Sequence, residues 1–116
     1  MRSSPTSTYL FTFRAPAHYA PDAGTFDAWA TWQLKLGARL KDRGNPAFAA
    51  AALGASAADT TLGGYSLIRA GGLDAAVALG RGCPLLTQGG AVEICELASH
   101  DERFDSWLDT TGTRHD

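Results

Sequence analysis

Cysteine is nearly absent: Cys83 and Cys95 are the only two in 116 residues. Two are too few for a disulfide scaffold and lack metal-site spacing, so they read as free buried thiols of a reducing cytoplasm. A charge excess is also missing, since ten Lys and Arg against twelve Asp and Glu leave a formal charge of −2. Phosphate binding needs a basic face, which argues against nucleic acid as a partner. No apolar run approaches a membrane span, and the alanine-rich piece Ala47 to Ala58 is broken by Gly54 and Ser56. The opening MRSSPTSTYLFTF lacks an apolar core of signal-peptide length, so a cytoplasmic location is expected. No His/Cys/Asp/Glu group has metal-ligand spacing, and no metal or other cofactor is expected. The glycine pairs match neither GxGxxG nor GxxxxGK[ST]; they read as turns.

What is present is a repeated alternation of strand and helix signals. Thr8 to Arg14, TYLFTFR, alternates with a period of two, placing Tyr9, Phe11 and Phe13 on one face and Leu10, Thr12 and Arg14 on the other. Apolar residues on both faces point to a strand covered on both sides. Pro16 and Pro21 keep Ala15 to Gly24 irregular. Thr25 is a candidate N-cap with Asp27 in the first turn. A helix of about five turns is predicted from Phe26 to Arg43, with Phe26, Trp29, Ala30, Gln33, Leu36 and Leu40 on one stripe. Gly44-Asn45-Pro46 would stop it, and Arg39, Lys41 and Arg43 would complement its negative end.

Local propensity favours helix over Ala47 to Ala58, but a two-copy plan needs a strand near Phe48 to Leu53, and the strand is the expectation taken here. Gly64 to Arg69 is the next strand and Gly71-Gly72 a turn. Leu73, Ala76, Val77 and Gly80 form a narrow helical stripe able to lie close to a sheet, ended by Gly82-Cys83-Pro84. Gly89-Gly90 turns the chain into a last strand, Ala91 to Leu97. The expected organisation is an N-terminal lead of residues 1–7, one domain over 8–97, and a polar tail over 98–116. In that tail Phe104, Trp107 and Leu108 have the spacing of one short docked helix.

The order βαβ-βαβ predicts an α+β fold, the ferredoxin-like split arrangement on a four-stranded antiparallel sheet. Two helices cover one sheet face, so the other needs a cover. A homodimer packed sheet on sheet supplies it most simply.

Several stretches carry a resemblance to a known family. TYLFTFR, AWATWQLKLGARLKDRGNP, GGYSLIRAGGLDAAVALGRGCPLL and GGAVEICEL resemble successive parts of YCII-related domains, close to relatives named for an Asp-Gly-Pro-Phe motif. The resemblance spans roughly residues 8 to 97 and rests most on the third stretch. It implies a dimeric α+β barrel of ferredoxin-like subunits with a small-molecule cleft between helices and sheet. Some family members are thought to act as lyase- or dehalogenase-like enzymes through a histidine-aspartate pair. In this chain Phe26 to Arg43 contains no histidine, Trp32 or Gln33 falls nearest that place, and SAADTTLGGY stands where the Asp-Gly-Pro-Phe motif would be.

Candidate site residues follow from chemistry. His18 could act as a general base if Asp59 or Asp22 lay within hydrogen-bond reach, although a lone loop histidine is more often solvated. Trp29 and Trp32 could floor a pocket, against the commoner role of core packing. Arg14 could hold a carboxylate, with Gln33 and Tyr65 completing a ligand pocket. The first expectation is a dimeric YCII-like domain that binds a small molecule without the family's catalytic histidine, or serves assembly. The alternative is a small lyase, isomerase or dehalogenase with His18 as base.

Overall fold

A computed structural model of the chain describes residues 6–48, 51–55 and 60–98. Strand β1 (Ser7–Pro16) leads to helix α1 (Ala23–Leu36), a 3-10 turn (Gly37–Arg39) and a short strand β2 (Leu40–Asp42). Strand β3 (Thr60–Ala70), helix α2 (Leu73–Gly80), a second 3-10 turn (Pro84–Thr87) and strand β4 (Ala91–Glu96) complete it. The strands form one antiparallel sheet in the order β2-β3-β1-β4. The fold is α+β, compatible with the split βαβ-βαβ arrangement.

β1 is central because its alternation suits a sheet with one dry face. Tyr9, Phe11 and Phe13 are buried beneath the helices with Ile68 and Ala70 of β3. Val92 and Ile94 of β4 extend this face, opposite Phe13 and Phe11. Helix α2 reaches the sheet through Ala76 and Gly80. A Cβ on Gly80 would stand 2.7 Å from Ile94 Cδ1 and 3.3 Å from Phe11 Cε2, so a side chain here would have to push the Ile94 tip aside and crowd Phe11.

Helix α1 begins and ends elsewhere than its sequence pattern predicts. Asp22, not Thr25, is the N-cap: its carboxylate accepts from the Thr25 backbone N–H at 2.9 Å and the Thr25 hydroxyl at 3.0 Å. The first turn holds no acidic residue, so Asp27 lies past it. The helix closes at Gly37, whose N–H still bonds the Gln33 carbonyl and whose positive φ of 56° turns the chain out of the helix. Phe26 and Ala30, expected on the packed stripe, are exposed, while Trp32 and Leu36 are buried. Because the helix stops at Leu36, residues 40–42 are free to pair with β3, Leu40 opposite Ile68 and Asp42 opposite Leu67. That pairing occupies the edge assigned to Phe48–Leu53. Phe48 and Leu53 are instead 83% and 97% exposed and lie outside the strands. Arg39, Lys41 and Arg43 accordingly sit on the 3-10 turn, β2 and the loop beyond rather than at a helix end.

The Asp22 cap predicts a pH dependence. Hydrogen bonds from the Thr25 backbone and side chain hold its carboxyl below the usual range. The native pKa lies below the unfolded one, so the stabilisation is complete above the ordinary carboxylate pKa and lost as pH falls through the lowered value. Asp22→Ala should lower Tm at neutral pH and flatten the decline of Tm below about pH 4. Thermal melts across that range check it, and an acid limb identical to the parent chain would show that the cap does not contribute.

Candidate functional site

The covered face ends in an aromatic cluster. Phe13 meets Trp29 edge-on at 5.0 Å and Trp32 at 6.0 Å, Trp29 and Trp32 stand 5.7 Å apart, and Phe11 lies 6.4 Å from Trp32. Trp32 is 5% exposed and its indole N–H donates to the Leu79 carbonyl at 3.0 Å, joining α1 to α2. Trp29 is half-buried, its N–H directed at the Tyr19 hydroxyl 3.5 Å away. These rings pack on one another and on the sheet, as a core does.

Arg14 and Tyr65 belong to the other side of the sheet. Arg14 alternates with Phe13, and its guanidinium donates to the Thr60 hydroxyl and the Thr60 carbonyl, each at 3.0 Å. Tyr65 pairs with Thr12, and its hydroxyl accepts from the Asn45 side chain at 3.3 Å. The sheet thus separates Arg14 and Tyr65 from the two tryptophans. Gln33 is half-buried on α1 and gives its backbone carbonyl to the Gly37 cap. The five side chains assigned to one pocket do not converge.

His18 is exposed in the turn after β1, where the Tyr19 N–H bonds back to the Pro16 carbonyl. The Asp22 carboxylate is committed to the helix cap. Asp59 lies outside the described residues, as does the tail stretch with Phe104, Trp107 and Leu108. Among the described residues no side chain is hydrogen-bonded to the His18 imidazole, and no group of three or more metal-ligating side chains comes together. No helix among them is long and apolar enough to cross a membrane.

Two features were outside the sequence reading. Gln88 donates to the Thr25 hydroxyl at 3.3 Å across the junction of α1 with the second 3-10 turn, while its carbonyl oxygen is buried with no protein partner among the described residues. A hollow of about 360 Å³ opens beside α2, lined by Leu73, Val77, Arg81, Leu86, Val92 and Ile94. The stripe Leu73, Ala76, Val77, Gly80 signals it in part: Ala76 is buried on the sheet, while Leu73, Val77 and Gly80 line the hollow.

The exposed sheet face has its own pattern. Leu67, Leu10 and Cys95 pair in register across β3, β1 and β4, giving an apolar row over three strands. Around it stand Thr8 beside Arg69 and Thr12 between Tyr65 and Glu93, with the Thr12 hydroxyl donating to Glu93 at 2.8 Å. The thiols differ accordingly. Cys83 is buried, which pushes its pKa up to about 11, whereas Cys95 is exposed on the open face rather than buried. No family model, curated protein or solved structure shows a significant match to the chain.

Proposed function

We propose that this chain is a homodimerising domain of the ferredoxin-like, YCII-related kind, two copies packed through their open sheet faces, and that its role is assembly rather than catalysis. The observation that carries the reading is the Leu67-Leu10-Cys95 row, an apolar centre rimmed by both signs of charge on the face of the sheet opposite the two described helices. Such a face is stabilised when a second apolar surface removes it from water. Arg69 and Glu93 lie diagonally across Leu10. A two-fold axis through Leu10 along the other diagonal sets each Arg69 over the partner copy's Glu93, with the two sheets crossing near a right angle. The small-molecule part of the reading has less behind it, because Phe13, Trp29 and Trp32 fill the space between helix and sheet. An enzyme with His18 as base has no geometric support among the described residues, since the side chain is exposed and Asp22 is engaged elsewhere.

Sedimentation equilibrium tests the proposal. The chain should be a dimer and Leu67→Glu a monomer with an unchanged far-ultraviolet circular dichroism spectrum, because Leu67 lies on the open face outside the core. Thiol labelling gives an independent readout at neutral pH. Cys83 stays silent, being buried and protonated, and Cys95 should react slowly in the parent chain and rapidly in Leu67→Glu. A chain that sediments as a monomer at its highest soluble concentration, with fast Cys95 labelling, overturns the proposal.

A further inference from the structure

The apolar hollow beside α2 is on the opposite side of the sheet from the proposed dimer face, so the partner copy of that dimer does not cover it. Leu73, Val77 and Leu86 form one wall and the edge strand's Val92 and Ile94 the other. Leu73 and Leu86 are 52% and 44% exposed. Among the described residues β4 pairs with β1 alone, so it forms an edge of the described sheet.

The chain leaves β4 at the end of the hollow where α2 begins. β3 ends with Ala70 opposite Ser7, and α2 starts three residues later at Leu73. β4 runs from Ala91 opposite Arg14 to Glu96 opposite Tyr9, after which the Leu97 N–H bonds the Thr8 carbonyl. Leu73 and Leu97 therefore share one end of the sheet, and α2 runs back along the hollow for about 12 Å. From Ala98, the six residues to Phe104 can span about 20 Å when extended. That is enough to place the next residues anywhere along α2.

The sequence that follows is the one apolar cluster after β4. Phe104, Trp107 and Leu108 stand at i, i+3 and i+4, the spacing of a single helical stripe, with Asp101 and Asp105 beside it. The charged residue lining the hollow is Arg81, of the complementary sign.

We propose that the stretch from Phe104 to Leu108 seats in this hollow, laying Phe104, Trp107 and Leu108 against Leu73, Val77 and Leu86 and bringing its carboxylates to Arg81. The tail is then an intramolecular cover for the edge strand as well as for the hollow, and it shields β4 from pairing with other chains.

The test uses the full chain labelled with 5-fluorotryptophan, whose fluorine resonances report Trp29, Trp32 and Trp107 separately. Trp107→Phe assigns the third signal. Docking predicts that Trp107 has a small shift between H2O and D2O, close to that of buried Trp32, and that this shielding is independent of protein concentration. Leu86→Glu and Val77→Glu, which set a carboxylate against the acidic tail, should raise the Trp107 shift to that of free indole while the Trp32 signal stays put. A free-indole shift in the parent chain overturns the proposal. Shielding lost on dilution overturns it in favour of a second copy as occupant, and shielding that survives both glutamate variants places the tail elsewhere.

Discussion

Trp32→Ala should cost about 3–5 kcal/mol, the range for deleting a large buried aromatic side chain. That is a large part of the whole stability of a small domain, about 5–15 kcal/mol. The size of the effect follows from how many elements one side chain joins. Its ring contacts Phe11 and Phe13 of β1 and Trp29 of its own helix, and its N–H holds the Leu79 carbonyl at the end of α2. Gly82 passes so near that a Cβ there would stand 2.9 Å from the ring. Trp32→Phe keeps a ring in the cluster but removes the donor and part of the indole's volume, so it should cost less than the alanine variant, about 1–3 kcal/mol. Urea titrations of the two variants compare losing the whole ring with losing its N–H end. A cost for the alanine variant below about 1.5 kcal/mol would mean that the cluster is not the keystone of the core.

The same residue shows what was legible in the sequence. The three-residue spacing of Trp29 and Trp32 identified one face of a helix, and core packing was already the commoner meaning of such a pair. The alternation Tyr9, Phe11, Phe13 marked the covered face of β1, and Gly82-Cys83-Pro84 marked the exit from α2, because each signal is local. The end of α1 was not legible in the same way. An apolar residue recurs at position 40 with helical spacing, and Gly44-Asn45-Pro46 is a stronger stop signal than Gly37 alone. A three-residue strand is too short to show any period, so β2 was hidden inside that apparent helix.

The separation of Arg14 from the tryptophans was contained in the alternation itself. Arg14 is adjacent to Phe13 on a strand, so the two side chains must take opposite faces. A pocket using Arg14 together with the tryptophans that pack on Phe13 would have to pass through the sheet. Pairing register supplies what composition could not: Leu10 falls beside both Leu67 and Cys95, which turns scattered residues into a continuous row. The hollow beside α2 likewise depends on where the helix lies over the edge strand, and single-element periodicity is silent on that.

The second large effect expected is at Gly44. This residue has φ of 73°, and a Cβ on it would fall 1.8 Å from the Tyr65 carbonyl oxygen and 2.7 Å from its carbon. Backbone cannot rotate aside as a side chain can, so the loop after β2 must lift from β3. That loop is held by several bonds at once: the Gly44 N–H to the Asp42 carboxylate at 2.8 Å, the Ser66 hydroxyl to the Arg43 carbonyl at 2.7 Å, and the Ala47 N–H to the Gly63 carbonyl at 3.0 Å. Gly44→Ala combines a left-handed backbone penalty of about 1–2 kcal/mol with an overpacking term of about 1–3 kcal/mol. Gly37→Ala is the control. Its φ of 56° carries the backbone penalty, but no atom lies within 4 Å of the added methyl. The alanine at position 44 should therefore be the more destabilising of the two by about the overpacking term. Hydrogen exchange should locate the damage, with amides bonding β2 and the following loop to β3 losing protection while those between β1 and β4 keep theirs. Equal costs at the two positions would mean that the loop steps away from Tyr65 freely, and that β2 is held by its own strand pairing rather than by the crossing at Gly44.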